Sequence, residues 1–152
     1  MDNPQLKLRN QICFPIYSVS RLITKSYKPY LDKLGLTYPQ YLVLLVLWEN
    51  DKLTVNQITE KLLLNTNTLS PLLKRMEKME LLQRNRSNKD ERSVIIQLTV
   101  KGKQLKTLAI PIPKNLIKTL LTENISMGKV IELRDMLNEW IKILTNNTKN
   151  LE

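Results

Sequence analysis

Residues 54–98 read TVNQITEKLLLNTNTLSPLLKRMEKMELLQRNRSNKDERSVIIQL. Thr54 and Gln57 match a capping box, which predicts a short helix that runs to Leu62. A cluster of cap and turn residues follows at 65–68, and a second set of apolar residues then recurs at helical spacing. These residues are Leu69, Leu72, Leu73, Met76 and Met79, and the opposite, polar face carries Thr68, Ser70, Lys74, Arg75 and Lys78. Two short helices joined by a tight turn are typical of a helix-turn-helix.

Two β-prone stretches follow directly, over residues 81–86 and 93–98. The six residues between them, 87–92, are polar and mostly charged, which is the pattern of a hairpin with an exposed tip. A helix-turn-helix followed by such a hairpin predicts a winged helix. The expected fold class is therefore mainly α with a small β-hairpin wing.

Upstream, apolar residues recur at steps of three and four between residues 6 and 34, which indicates an amphipathic helix that Gly35 is expected to end. This stripe consists of Ile12, Ile16, Val19, Ile23 and Tyr27. Thr37 and Gln40 match a second capping box, with Pro39 in the first helical turn. The apolar run 41–48 is also typical of a buried strand, but the cap in front of it favours a buried helix.

Downstream, Thr99 is expected to cap another helix, which Pro111 and Pro113 must break or kink. The last helix carries an apolar stripe of Val130, Leu133, Leu137, Trp140 and Leu144. We expect three regions, which are an N-terminal dimerisation helix (1–35), the winged helix-turn-helix DNA-binding region (36–98) and C-terminal dimerisation helices (99–152). A winged helix is too small to cover both sets of apolar faces, so a second copy is expected to bury them in a two-fold homodimer. The alternative is that these helices fold back on the winged helix within one chain.

The composition excludes several kinds of catalytic and metal chemistry. The 152 residues contain no histidine and a single cysteine, Cys13. Zinc sites built from cysteine and histidine, Ser-His-Asp or Cys-His catalysis and an internal disulfide are thereby excluded. We expect neither an enzyme nor a bound cofactor or metal. One unpaired cysteine without an export signal indicates a cytoplasmic protein.

The net charge points to a polyanionic partner. There are 24 Lys and Arg residues against 14 Asp and Glu, a formal charge of +10. This balance predicts binding to nucleic acid or to an acidic membrane surface, and the plain alternative is a merely basic soluble protein. The longest apolar run is far shorter than the roughly 20 residues that span a bilayer. The predicted wing also argues against a membrane-surface protein.

Half of the excess charge lies around the predicted recognition helix and wing. Residues 71–103 contain nine basic and four acidic side chains, a net charge of +5. Phosphates require cations at this density, and short hydroxyl and amide groups at a helix start suit the edges of bases. The predicted contacts with double-stranded DNA are Asn67, Thr68, Ser70, Lys74, Arg75, Lys78, Arg86, Lys89 and Arg92. A two-fold dimer would place two recognition helices in successive major grooves, about 34–36 Å apart, and would bind an inverted-repeat operator.

The context of Cys13 leaves two interpretations open. A lone cysteine is more often an inert core residue than a reactive one, but Tyr17 lies one helical turn away and could hydrogen-bond a thiolate. Pro15 either occupies the first helical position, with Cys13 just outside the positive end of the dipole, or kinks a helix that begins earlier. Tyr27 lies on the same face but about 21 Å further along the axis, so it can meet Cys13 only in another copy. A purely structural role for the tyrosines is the alternative.

Several short motifs together resemble the organic-hydroperoxide-sensing repressors of the MarR family, over residues 6–103. A winged helix alone would be unspecific, whereas the N-terminal Cys-Phe combined with Leu-Thr-Tyr-Pro-Gln-Tyr is specific to this branch. The motifs are Gln11-Ile12-Cys13-Phe14, Tyr27-Lys28-Pro29, Leu36-Thr37-Tyr38-Pro39-Gln40-Tyr41-Leu42, Leu69-Ser70-Pro71-Leu72-Leu73-Lys74-Arg75-Met76-Glu77 and Asp90-Glu91-Arg92-Ser93-Val94.

The resemblance implies a dimeric repressor that releases its operator when a peroxide oxidises Cys13. It also implies that two tyrosines of the partner subunit, Tyr27 and Tyr38, hydrogen-bond the thiolate, and that Tyr17 matches a further position on the first helix. In the wing, Arg92 matches the arginine that enters the minor groove and Asp90 matches the acidic residue that supports it.

Three departures from the family pattern affect these expectations. Asn67 stands where the family usually has Gly in the turn before the recognition helix, and Asn tolerates a left-handed backbone well. Pro15 replaces a non-proline residue close to Cys13. A second cysteine is lacking, so the chain resembles the one-cysteine subtype, whose sulfenic acid ends as a mixed disulfide with a low-molecular-weight thiol or is overoxidised.

Three other functions fit parts of the sequence. Global regulators of virulence and resistance within the MarR family share the same cysteine and much of the surrounding sequence. A repressor that responds to a small phenolic ligand, with Cys13 silent, is a second alternative. A thiol peroxidase is the third, but the Arg and Thr expected around such a nucleophile are not evident near Cys13.

Overall fold

The computed structural model describes residues 3–86 and 93–149 and contains seven α-helices and three strands there. The elements are α1 (Cys13–Leu31), α2 (Tyr38–Glu49), β1 (Leu53–Thr54), α3 (Val55–Leu62), α4 (Thr66–Lys78), β2 (Leu82–Arg86), β3 (Val94–Leu98), α5 (Val100–Ala109), α6 (Pro111–Leu120) and α7 (Met127–Lys149). The chain divides into two compact units, Met1–Ile112 and Pro113–Glu152, and the boundary falls within α6. The break between α5 and α6 lies at Ile110, directly before Pro111, as the sequence predicted.

A three-stranded antiparallel sheet completes the first unit, in the order β1-β3-β2. The predicted hairpin is confirmed, with Leu82 opposite Leu98 and Arg86 opposite Val94. The sequence did not predict β1, in which Leu53 pairs with Ile96 and Thr54 with Ile95. Two residues are too few to carry an alternating pattern, so only pairing with a distant strand defines this one.

The core of the first unit forms where α2, α4 and the sheet meet. The apolar run after Thr37 is helical, because Gln40 Oε1 accepts a 2.8 Å hydrogen bond from Thr37 N in the predicted capping box. Fully buried side chains come from α2, α3, α4 and the strands, and include Tyr41, Val43, Leu44, Leu47, Ile58, Leu69, Leu73, Met76, Leu82 and Ile96. The predicted inner face of the recognition helix is thus confirmed.

The first helix starts later than its periodicity suggested. Residues Pro4–Leu6 and Leu8–Asn10 form 3-10 turns, and α1 begins at Cys13 itself. Pro15 is therefore the third helical residue and not the first, so of the two expected positions the structure shows the one in which the helix begins before Pro15. In the first turn its missing N–H has no intrahelical acceptor, so Pro15 removes no backbone hydrogen bond from the helix. After the helical segment that ends at Leu34, Gly35 takes a left-handed φ of 67°, which confirms the predicted stop.

The second unit contains the long helix α7. Its apolar side chains are largely exposed in the single chain, including Leu133, Trp140 and Leu144 of the predicted stripe. None of the helices in the two described ranges is long and apolar enough to cross a membrane.

Candidate nucleic-acid interface and sensor cysteine

The recognition helix α4 is capped by Asn65. Its Oδ1 accepts hydrogen bonds from Thr68 N at 2.9 Å and from Thr68 Oγ1 at 2.8 Å, which satisfies donors of the first turn. Asn67 and Thr68 thus belong to the helix rather than to the turn before it. The left-handed residue of that turn is Leu63, with φ 53°, so the expected left-handed turn position of Asn67 was wrong.

The polar face of α4 points away from the core. Leu69, Leu72, Leu73 and Met76 hold the inner face, which turns Asn67, Thr68, Lys74, Arg75 and Lys78 to solvent and leaves Ser70 partly exposed. Arg86 is exposed at the end of β2. The structure thus brings most of the predicted DNA contacts onto one helix and the adjacent hairpin. Lys89, Asp90 and Arg92 lie outside the described residues.

A set of contacts missed in the sequence fixes the hairpin to α2 and α5. Asp51 Oδ1 accepts a 2.9 Å hydrogen bond from Leu98 N, and Trp48 Nε1 donates to Gly102 O at 2.9 Å. The backbone of Gly102 lies so close to β2 that a Cβ there would be 2.0 Å from Leu81 O. The base of the hairpin is therefore held against α5 and the loop after α2 by close backbone packing and by a side-chain hydrogen bond.

Arg84 of β2 was not predicted as a site residue. Its side chain is 24% exposed, and its Nη1 lies 3.9 Å from Glu77 Oε2 of α4. Arg84 Nε is buried without a hydrogen-bond partner in the part of the chain that the structure describes. The sequence shows Arg84 only as one cation among nine, because its burial arises from the meeting of separate elements.

Cys13 is exposed as the first residue of α1. Tyr17 lies one turn further on and is also exposed, with Arg21 Cζ 5.4 Å from its ring centroid. Within the described ranges, no hydrogen bond joins Cys13 to Tyr17, Tyr27 or Tyr38. The sequence-based expectation that Tyr17 stabilises the thiolate thus stays a prediction.

Tyr27, Tyr38 and Tyr41 form a compact aromatic cluster between α1 and α2. The ring centroid of Tyr27 is 5.0 Å from that of Tyr38 and 5.7 Å from that of Tyr41. Burial, followed by the neighbouring Tyr38 and Tyr41, raises the pKa of Tyr27 to about 12. Burial likewise raises the pKa of Tyr38 and, together with Tyr38, that of Tyr41. All three hydroxyls therefore remain protonated at neutral pH and can donate hydrogen bonds.

An open groove of about 510 Å³ runs beside this cluster. Its walls come from α1 and from the start of α2, and they include Tyr38, Arg21, Lys25 and Lys28. Lys28 is paired with Asp32 at 2.7 Å. The groove gives access to the edge of Tyr38 from outside the chain.

The sequence and fold match known regulators. A family model described as transcriptional regulator SarA/Rot matches residues 25–108. The organic hydroperoxide resistance transcriptional regulator of Bacillus subtilis is 54% identical over 112 residues, which is 74% of this chain and 76% of that protein. The chain belongs to the MarR-type family of winged-helix transcriptional regulators. The family and the fold class predicted from the sequence are thus confirmed.

Other MarR-type regulators match over most of the chain. The regulator MgrA of Staphylococcus aureus is 37% identical over 138 residues, which is 90% of this chain and 92% of MgrA. A solved structure of reduced AbfR bound to DNA is 37% identical, with a TM-score of 0.78 over 96% of this chain and 98% of AbfR. Escherichia coli MarR, at 21% identity and a TM-score of 0.68 over 85% of this chain and 96% of its own, shares the fold.

Proposed function

We propose that this MarR-type regulator is a homodimeric repressor in the cytoplasm that binds operator DNA when Cys13 is reduced and releases it when an organic hydroperoxide oxidises Cys13. One observation carries the proposal. Cys13 and the protonated tyrosine cluster lie at opposite ends of α1, so one chain alone cannot unite them. A second copy supplies the missing partner, as the family resemblance implies.

The DNA-binding part rests on the exposed polar face of α4 and on relatives that bind DNA. AbfR is described in complex with DNA in both its reduced and its overoxidised form. We place Asn67, Ser70 and Lys74 at base edges and phosphates of the major groove, with Arg75, Lys78 and Arg86 on the backbone. Lys89 and Arg92 are assigned to the wing contact and Asp90 to its support, from sequence alone.

The homodimer rests on apolar side chains that the single chain leaves exposed. They lie on the N-terminal segment and α1, where Ile12, Phe14 and Val19 are exposed, and on α7, where Leu133, Trp140 and Leu144 are exposed. Burial of such faces against a second copy is strongly favourable. The regions 1–35 and 99–152 are therefore proposed as the dimerisation elements around the DNA-binding region 36–98.

The redox step uses the sulfur of Cys13 as a nucleophile. The thiolate attacks one peroxide oxygen, the O–O bond breaks, an alcohol leaves after protonation, and Cys13 becomes a sulfenic acid. A low-molecular-weight thiol then attacks the sulfenic sulfur, which releases water and leaves a mixed disulfide. Since the chain has one cysteine, no disulfide can form within it. Without a thiol, further peroxide overoxidises the sulfur.

Oxidation changes the hydrogen bonding at the interface between the two copies. A thiolate accepts hydrogen bonds from Tyr27 and Tyr38, whereas a bulky adduct on sulfur cannot occupy the same space. We infer that the dimer then favours a different spacing of its two α4 helices. A change from mostly bound to mostly released requires about 5 kcal/mol of difference between the two states.

The DNA contact is tested by titrating duplex DNA at several salt concentrations. Lys74→Gln is expected to weaken binding and to reduce the slope of log affinity against log salt by about 1, because one phosphate contact is lost. Lys142→Gln on α7 is the matched control and should bind like the wild type. A wild-type slope near zero would rule out phosphate-driven binding.

A repressor that responds to a small phenolic ligand is the second candidate, favoured by the groove beside Tyr38. The two candidates differ in what happens to Cys13. Intact-mass spectrometry after addition of less than one equivalent of cumene hydroperoxide should show oxygen or thiol adducts on the protein if Cys13 is the sensor. An unmodified protein that nevertheless releases DNA with a phenol would favour the second candidate.

A further inference from the structure

A small pocket lies where the starts of α3 and α4 meet the hairpin. Its volume is about 200 Å³, and it lies beside the recognition helix rather than beside the tyrosines. Its lining combines polar side chains and one cation with two valines, and consists of Thr54, Val55, Asn56, Thr66, Ser70, Arg84, Ser93 and Val94. Three elements that are distant in sequence thus bring neutral hydrogen-bonding groups and one cation to a single place.

Arg84 is the charged residue of this lining, and its side chain is 24% exposed. Its Nε is buried and lacks a hydrogen-bond partner within residues 3–86 and 93–149. Glu77 Oε2 is 3.9 Å from Nη1, a distance that is too long for a hydrogen bond. A guanidinium does not lose its charge in proteins, so the exposed part of the Arg84 side chain gives the pocket a permanent positive charge. The pocket is therefore suited to an anionic acceptor.

We propose that this pocket binds one phosphate of the DNA backbone, and that Arg84 is its charged ligand. This inference rests on the proposed binding of DNA and adds a contact to it. The planar guanidinium presents two parallel N–H groups that match two phosphate oxygens. The hydroxyls of Thr66 and Ser70 and the amide of Asn56 can donate to the remaining oxygens, and α4 begins at Thr66, where the helix dipole favours an anion.

A phosphate held here would touch the recognition helix and the wing at once. Ser70 and Thr66 belong to α4, whereas Arg84 belongs to β2 and Ser93 directly precedes β3. One bound phosphate would thereby fix how α4 enters the major groove relative to the hairpin. Such a contact positions the protein on the duplex and carries no base specificity itself.

The alternative role of Arg84 is structural, as a strut between β2 and Glu77. Two variants separate the roles. Arg84→Gln removes both the phosphate ligand and the strut, whereas Glu77→Gln removes the strut and leaves the ligand in place. A strut predicts equal losses of DNA affinity in both variants. A phosphate ligand predicts a loss in Arg84→Gln alone, and equal or tighter binding in Glu77→Gln because a negative charge near DNA is gone.

The experiment measures binding to a duplex that the wild-type protein selects from a random-sequence pool. Arg84→Gln is expected to bind roughly tenfold more weakly and to lower the salt slope by about 1. Arg84→Lys keeps the charge and loses the planar geometry, so it should keep the slope and lose part of the affinity. Thermal unfolding of each variant shows whether the fold is intact.

Neutral methylphosphonates, introduced one at a time, locate the contact on the duplex. One position should weaken the wild type roughly tenfold and leave Arg84→Gln unaffected. Equal losses in Arg84→Gln and Glu77→Gln, an unchanged salt slope in Arg84→Gln, or the absence of such a position would overturn the phosphate site while DNA binding itself stands. A wild-type protein without salt-dependent binding would overturn the proposed function and this inference together.

Discussion

At the scale of single residues, the pKa values of Tyr27, Tyr38 and Tyr41 are raised above the ordinary value for tyrosine. Burial at the α1–α2 contact and the close packing of three phenols disfavour a negative charge on any of them, and the pKa of Tyr27 is raised to about 12. Because the pKa values of all three tyrosines are raised above the ordinary value, their hydroxyl groups donate hydrogen bonds throughout the physiological pH range. They can therefore donate hydrogen bonds to an anion such as a thiolate and still keep their own protons.

The raised pKa of Tyr27 links stability to alkaline pH. The folded state holds the phenolic proton more tightly than the unfolded state, in which the value is near 10. The stabilisation is thus complete below about pH 10 and is lost as the pH rises towards 12. Tyr27→Phe should lose less stability between pH 8 and pH 11 than the wild type, as measured by urea midpoints. Tyr17→Phe, with its exposed ring, is the control, and an equal loss in all three proteins would contradict the assignment.

The sequence predicted the chemically distinctive residues better than those that depend on packing. The resemblance identified Tyr27 and Tyr38, and the structure brings their rings together. Arg84 and Asp51 were missed because their roles arise from neighbours more than 40 residues away or on another element, as in the Asp51–Leu98 hydrogen bond. Single-residue propensities carry no information about such contacts.

At the scale of elements, the turn between α3 and α4 holds a leucine in an unfavourable conformation. Leu63 has φ 53° and is mostly exposed, so its side chain adds little packing while its Cβ crowds the backbone. Leu63→Gly is expected to raise the free energy of unfolding by up to about 1 kcal/mol, after the greater chain entropy of glycine is included. Leu63→Ala retains the Cβ and should bring no gain. Urea unfolding of both variants measures the difference, and a destabilised Leu63→Gly would contradict this reasoning.

The contact between α5 and the hairpin has no space for a side chain at Gly102. A Cβ there would lie 2.0 Å from the carbonyl oxygen of Leu81, so backbone must shift in Gly102→Ala. We expect a loss of about 2 kcal/mol or more in the free energy of unfolding. Gly128→Ala in α7 is the matched control, because its nearest neighbour would be Ser126 Oγ at 3.7 Å and alanine favours a helix. Similar stabilities for the two variants would show that the close approach at Gly102 is not rigid.

Helix boundaries with local signals were predictable, and the others were not. Thr54 and Thr99 each accept the hydrogen bond expected of a cap, from Gln57 N and Gly102 N. By contrast, the apolar stripe was predicted to belong to a helix within residues 6–34, whereas α1 begins at Cys13 and 3-10 turns occupy Pro4–Leu6 and Leu8–Asn10. Periodicity alone does not distinguish a helix from successive turns with similar spacing.

At the scale of the whole molecule, the exposed apolar faces predict an obligate homodimer. Sedimentation equilibrium at micromolar concentration should give twice the mass of the chain. Trp140→Glu, which places a charge on the α7 stripe, should shift the equilibrium towards the monomer, whereas Glu139→Gln on the same helix should not. A monomeric wild type would contradict both the dimer and the meeting of Cys13 with tyrosines of a second copy.

The sequence alone could not give the geometry of the switch. Cys13 and Tyr27 share one face of α1, but whether two copies bring them together depends on an interface of which the sequence shows only the apolar stripes. The operator and the physiological oxidant depend on partners outside the chain. These features follow from assembly, whereas the winged helix follows from caps and periodicity within single segments.

The most direct test measures operator release by wild type and Cys13→Ser side by side, during titration with cumene hydroperoxide in the presence of a low-molecular-weight thiol. Both reduced proteins should bind the selected duplex with similar affinity. Only the wild type should dissociate, because only its sulfur can react with the peroxide. Dissociation of Cys13→Ser at the same peroxide concentration, or a wild type that stays bound although its sulfur is fully modified, would contradict the proposed sensing role of Cys13.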